Sequence, residues 1–322
     1  MSIRLQKICY QWIATGLLCA YALTGFATPA KVLVDLPLKK VILETDITFD
    51  VDDVGALATL HALADNGQFE ILAVMYNEVH ADGISAIHAI NEWYQREDLP
   101  IGAFRGSLKD PDSSGYLTDV AKLSSTPPPV QDALELYRQI LTKHDDRSIT
   151  IISVGFLPNL DQLLTHEKEL IQAKVSEIVV MGGRHRDQFN FIRHDLLNTT
   201  KRVLTNWPTP LKVIDFGHNV ITGTDLGDKD PRNPIRQAFL SARGDDFPGR
   251  SSWDQVAVLS VAQEAEDWFE TSSEGEIIFI DGEKIKLKPN WRSVVDPTVS
   301  REFLETTIEL FMNQPPLDFN ED

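Results

Sequence analysis

Val41-Ile42-Leu43-Glu44-Thr45-Asp46-Ile47-Thr48-Phe49-Asp50-Val51-Asp52-Asp53-Val54-Gly55-Ala56-Leu57 carries an apolar run into an acidic loop and then into a helical pattern. The spacing predicts a strand over residues 41–43 and a helix over 54–64, and strand and helix patterns go on alternating after it. Further β-branched runs at 70–75, 101–104, 149–153, 177–181 and 211–214 predict strands. Amphipathic stretches at 84–94, 130–143, 159–164 with 167–173, and 196–206 predict the helices between them. This alternation implies an α/β fold, a mostly parallel open sheet with helices on both faces. Such sheets bind ligands beyond the carboxyl ends of their strands, so the residues just after each strand are the ones to inspect. Ser- and Pro-rich residues 110–129 read as a long surface loop, and residues 226–234 as another. A helix at 255–262, hairpin strands at 276–281 and 284–287, and a last helix at 299–311 complete the reading. No repeat and no composition break demands a second domain.

The 322 residues carry 30 Lys+Arg against 48 Asp+Glu, a formal charge of −18, with no Lys/Arg-rich run. That balance excludes a nucleic-acid binder, whose affinity comes from basic side chains displacing counterions; a nucleoside-sized partner stays open. Residues 1–30 read as an export signal: Arg4 and Lys7, then an uncharged apolar stretch from Ile8 to Leu23, then the small residues Gly25, Ala27, Thr28 and Ala30. The expected product is a periplasmic or secreted domain over residues 31–322, with no membrane attachment after cleavage. The alternative is an uncleaved anchor, against which the apolar stretch is short. Both cysteines, Cys9 and Cys19, lie inside the signal, so the mature chain has no disulfide.

Five carboxylates fall within ten residues of the first loop: Glu44, Asp46, Asp50, Asp52 and Asp53. They repel one another unless a cation neutralises them, and hard oxygen donors at this density suit calcium or magnesium. Helix capping by Asp52 and Asp53 is the simpler account, but it leaves Asp46 and Asp50 unexplained. An EF-hand begun at Asp46 needs Gly and Glu where Val51 and Leu57 stand. An aspartyl-phosphate enzyme needs Asp where Glu44 stands.

The sequence here resembles the nucleoside hydrolase family of the inosine–uridine-preferring type, in a less characterised exported branch. Glu44-Thr45-Asp46 with Asp52-Asp53-Val54-Gly55-Ala56-Leu57 is similar to the family's first acidic motif, two residues longer than in the best-known members. Val154-Gly155-Phe156-Leu157-Pro158-Asn159-Leu160, Val179-Val180-Met181-Gly182-Gly183, Phe189-Asn190-Phe191 and Ser252-Trp253-Asp254-Gln255 resemble later motifs in the same order, over about residues 40 to 265. The resemblance implies hydrolysis of an N-ribosidic bond through an oxocarbenium-like transition state. It implies Ca2+ held by Asp46, Asp53, Asp254 and the backbone carbonyl of Val154, with Asp46 also the general base. Asp52 and Asn190 would hold the ribose, and the implied partner is a nucleoside or related riboside. Family members often form homo-oligomers.

Three departures qualify this. Trp253 stands where the best-known members have a His that protonates the leaving base, and it can stack on a base or simply pack. His80, His185 and His218 are alternative acids. Gln188 replaces the usual Glu near the sugar 5′ position, and Arg184-His185-Arg186-Asp187 beside it can form a solvated turn or receive an anionic 5′ group. Asp50 belongs to the insertion and has no assigned role, and Arg250 can either position Asp254 or face solvent. The rival readings are a calcium-dependent sugar or nucleoside binder without turnover, and a hydrolase of another pentoside.

Overall fold

Val41, Ile42 and Leu43 are fully buried, yet their side chains divide between two interiors: Val41 and Leu43 join one apolar cluster and Ile42 the other. Alternate residues of a strand point to opposite faces, so a strand apolar throughout must be covered on both. The computed structural model describes residues 37–127, 129–183, 188–279, 281–288 and 291–317. The expected export signal and residues 184–187 lie outside them. Among the described residues no helix is long and apolar enough to cross a membrane.

The central strand β1 (Lys39–Thr45) pairs in parallel with β2 (Phe69–Tyr76) on one side, followed outward by β3 (Ile101–Ala103) and β4 (Gln131–Asp132). On its other side lie β5 (Ile149–Ser153), β6 (Val175–Met181) and β7 (Leu211–Ile214), also parallel. All six expected strands are present. After β7 come the short antiparallel pair β8 (Ile221–Thr222) and β9 (Arg250–Ser251), then β10 (Phe269–Ser272), the hairpin β11 (Glu276–Ile278) and β12 (Lys284–Lys286), and β13 (Arg292–Pro297). The sequence reading missed that β13 joins β7 in parallel and β10 pairs antiparallel with β13, extending the sheet to nine strands.

One face is covered by α1 (Asp52–Asp65), α2 (Gly83–Trp93) and α3 (Gly115–Ala121), and the other by α4 (Ala133–Lys143), α5 (Pro158–His166) and α6 (Lys168–Lys174). After the single turn α7 (Phe189–Ile192), α8 (Leu197–Asn206) lies with the second group, while α9 (Pro234–Arg243), α10 (Trp253–Leu259) and α11 (Arg301–Met312) lie with the first. Residues 110–129 are therefore not simply a surface loop. The turn α3 inside them buries Tyr116, Leu117 and Val120, an i, i+1, i+4 stripe that the surrounding Ser and Pro residues disguise. The sequence reading also missed α9, although its start is encoded. Asn233 Oδ1 accepts from the backbone N–H groups of Ile235 (2.8 Å) and Arg236 (3.3 Å), and Pro234 occupies the first turn. Helix α1 is buried from Asp52 through Leu63, held between the sheet and later helices. That burial takes two aspartates into the interior with it.

Candidate active site

The strand order reverses direction at β1, whose neighbours β2 and β5 carry the chain to opposite sides. Asp46 follows β1 and Val154 follows β5, so the two emerge together at this switch point. The Val154 N–H donates to the Glu44 carbonyl at 2.9 Å. Gly155 lies so close to the Asp46 backbone nitrogen, Asp46 Oδ1 and Asn77 Oδ1 that a methyl group there would overlap all three. On the adjoining face Gly55 of α1 is pressed against the Gln255 side chain of α10, again with no room for a Cβ. This close approach brings Asp52 and Asp53, in the first turn of α1, up to Asp254 in the first turn of α10.

One carboxylate oxygen from each of Asp52, Asp53 and Asp254 lies within 4.8 Å of the others, and all three residues are buried. Asp46 stands outside that tight set but faces it. Burial, reinforced by the charges of Asp53, Asp52 and Glu78, holds the Asp46 carboxyl well above the usual carboxylate range. Burial likewise raises Asp254, with Asp52, Asp53 and Asp46 adding to it, and raises Asp52, whose neighbour Arg250 opposes the rise. Asp53 is pushed up to about 7 by burial, although the Thr45 hydroxyl donates to its Oδ1 and works against the shift. Four buried acids, each held above its usual range, cannot all ionise together without a compensating charge. Asp254 Oδ1 is buried with no hydrogen-bond partner among the described residues. An all-oxygen donor set with a lone pair left over fits a hard divalent cation, which would lower these raised pKa values.

Beneath the acids lies Glu44, fully buried and pushed up to about 7 by desolvation. It accepts from Asn77 Nδ2 (2.9 Å), Asn159 Nδ2 (3.0 Å) and the Tyr137 hydroxyl (2.9 Å). Asn77 in turn accepts from the Phe156 N–H at 3.0 Å. Glu44 thus ties the ends of β1, β2 and β5 together, a role for which the sequence offered no signal beyond its odd length at that position.

The other expected site residues fall as follows. Asn190 and Val154 meet directly, the Asn190 amide donating to the Val154 carbonyl. Gln188 is buried and its Nε2 donates to the Ile278 carbonyl on β11 at 2.6 Å, so it anchors the hairpin. Trp253 is half-buried beside Asp254, with the Arg250 guanidinium 5.2 Å from its ring centroid and the exposed His218 ring at 5.7 Å. His80 uses Nδ1 to accept from the Asp82 N–H at 3.1 Å, shaping the turn before α2. His185 and both arginines of 184–187 lie outside the described residues. Asp50, unassigned from sequence, is held by Arg250. Phe49, exposed on the acidic loop, stacks on Phe189 at 5.3 Å and links that loop to the Phe-Asn-Phe segment. His194, also unnoticed in the sequence, is buried against Glu78 and Asp112.

Residues 41–209 match the family described as inosine-uridine preferring nucleoside hydrolase. No curated protein sequence matches the chain. Among solved structures, an inosine-uridine preferring nucleoside hydrolase from Bacillus anthracis is similar at TM-score 0.67 and 16% identity, covering 85% of this chain and 99% of that one. A purine-preferring ribonucleoside hydrolase from Gardnerella vaginalis is similar at TM-score 0.62 and 14% identity, covering 85% and 99%. The type III effector protein XopQ, complexed with adenosine diphosphate ribose, is similar at TM-score 0.64 and 13% identity, covering 86% and 94%. At these identities the structures speak for the fold, whereas the family match spans more than half of the sequence. The chain belongs to the inosine-uridine preferring nucleoside hydrolase family, the hydrolases of the nucleoside N-glycosidic bond.

Proposed function

We propose that the protein is a calcium-dependent hydrolase of ribonucleoside-like substrates, releasing base and ribose. The observation that carries this reading is the meeting of Asp52, Asp53 and Asp254, buried together, with Asp254 Oδ1 left unpartnered. Asp46, Asp53, Asp254 and the Val154 carbonyl would hold the ion, which would supply positive charge for the ribose hydroxyls and the attacking water. The remaining work falls to the chain. Asp46, which follows β1 and lies among the other acids, would take the proton from the attacking water. Asp52 and Asn190 bind the ribose hydroxyls. The Trp253 face receives the base, with Arg250 behind it fixing the ring. The aliphatic and aromatic residues around the acids exclude bulk water, which strengthens each of these interactions.

Release of p-nitrophenol from p-nitrophenyl riboside, measured with calcium and then with chelator, tests this proposal. That leaving group needs little protonation, so the assay addresses the acids without requiring a dedicated leaving-group acid. Chelator-sensitive release is the expected result. Absence of release from folded, calcium-loaded protein that still binds ribose would instead identify a binding protein, and turnover restricted to another pentoside would move the substrate class.

A further inference from the structure

Glu78, Asp112 and His194 come from three separate segments, after β2, after β3 and after α7, and converge at the carboxyl edge of the sheet. Their side chains are buried, at 0%, 6% and 0% exposure. Each group has one atom held by an outside partner. The Val79 N–H donates to Glu78 Oε1 at 2.7 Å, Arg193 donates to Asp112 Oδ1, and His194 Nδ1 lies 2.7 Å from the Lys109 carbonyl. Each therefore turns its other atom inward. Glu78 Oε2, Asp112 Oδ2 and His194 Nε2 face one another within 4.8 Å, and none has a hydrogen-bond partner among the described residues.

The tautomer follows from the outer contacts. A backbone carbonyl only accepts, so His194 Nδ1 carries a proton, and in the neutral ring Nε2 presents a lone pair to two carboxylate oxygens. Those oxygens stand 2.8 Å (Glu78) and 3.6 Å (Asp112) from Nε2. The Glu78 contact is within ion-pair distance, yet it makes no hydrogen bond. Ligand atoms on one zinc ion, each about 2.0–2.2 Å from the metal, sit roughly 3.0–3.5 Å apart, close to the spacing found here. An imidazole oriented through its far nitrogen by a backbone carbonyl is the arrangement that metal-bound histidines adopt.

We infer that Glu78, Asp112 and His194 form a second cation site, chemically distinct from the all-oxygen site of Asp52, Asp53 and Asp254, and selective for zinc. The mixed nitrogen and oxygen donors suit zinc where the aspartate cluster suits calcium. Bound there, the ion cross-links three segments at the edge of the active site. Its neighbourhood is shared with the catalytic acids, because Phe156 packs edge-on against His194 at 4.7 Å and the Glu78 charge is felt at Asp46.

The test is zinc titration by calorimetry of chelator-treated, dialysed full-length protein in saturating calcium. One zinc per chain is expected. Binding should weaken by at least about 100-fold in His194→Ala and Glu78→Gln and persist in Asp254→Asn. Zinc binding unchanged in folded His194→Ala, or lost in Asp254→Asn instead, would overturn the inference. Should the His194 variant fail to fold, X-ray absorption of the zinc-loaded wild type decides: one nitrogen and at least two oxygens at about 2.0–2.2 Å support the site. An all-oxygen shell, or no zinc uptake, refutes it.

Discussion

Arg250 grips Asp50 from two hundred positions away in the chain: its Nε lies 2.8 Å from each carboxylate oxygen, and a second guanidinium nitrogen reaches Oδ2. The pair fastens the inserted part of the first acidic loop to the strand that precedes Asp254. The Arg250 charge also opposes the rise in the Asp52 pKa.

A planar fork on a carboxylate is not reproduced by an ammonium group, so Arg250→Lys is a severe change here. Calcium affinity is expected to fall about 10- to 100-fold in Arg250→Lys, and by a similar factor in Asp50→Asn. Calorimetric calcium titrations of the two variants and the double variant measure this. Losses that simply add would show that the two residues act separately.

On the proposed function Asp254 serves the ion alone, whereas Asp46 serves both the ion and the attacking water. Calcium is expected to raise the Tm of the wild type, and Asp254→Asn, which removes a charge from the tight carboxylate set, should abolish that rise. Asp46→Asn is expected to lower kcat by about 10²-fold or more, the usual weight of a general base, with a smaller change in KM. Melting curves with and without calcium, alongside steady-state kinetics, distinguish the two.

Gly155 offers a probe that touches no charge. Ala at this position must displace the Asp46 backbone or Asn77, which packs between Glu44 and Phe156. A misplacement of about 1 Å costs roughly 10²-fold in rate. Gly155→Ala should therefore lose activity while keeping its far-ultraviolet circular dichroism, and full activity in the variant would contradict the geometry.

His61 governs acid stability. Burial, aided by the Arg96 charge and opposed by a hydrogen bond to Asn91, lowers its pKa from 6.5 to about 3. Between those values the unfolded chain binds a proton that the folded chain does not. Stability from this group is thus complete above about pH 6.5 and is lost as pH falls toward 3, by about 1.4 kcal/mol per pH unit. Urea unfolding from pH 7 to pH 5 should show this slope in the difference between wild type and His61→Gln. Parallel stability curves for the two proteins would refute it.

The parts of the fold visible in the sequence are those whose causes are local. β1 and its neighbours are short β-branched runs, and the acidic loop announces itself by charge density. The convergence of Asp53 with Asp254 was legible only through family resemblance, because it depends on Gly55 meeting Gln255 across two helices. The Asp50–Arg250 pair and the group around His194 are meetings of distant segments, and no spacing within the chain encodes them. The short helix α3 was missed because only one turn of apolar spacing marks it. β13 escaped notice because it lies beyond the last clear strand–helix alternation and enters the sheet from the far end.

Asp46, Asp52 and Asp53 are separated from Asp254 by most of the chain, and the family match ends at residue 209, well short of Asp254. A polypeptide emerging from the ribosome can therefore lay down β1 to β7 and still lack a complete cation site. On the proposed function, ion capture would report that the chain extends past Asp254 and that α10 has docked on α1. Calcium would then act as a late latch on folding, rewarding only the finished molecule, and a chain cut short before α10 would stay a soft target for proteases however much of its sheet had formed.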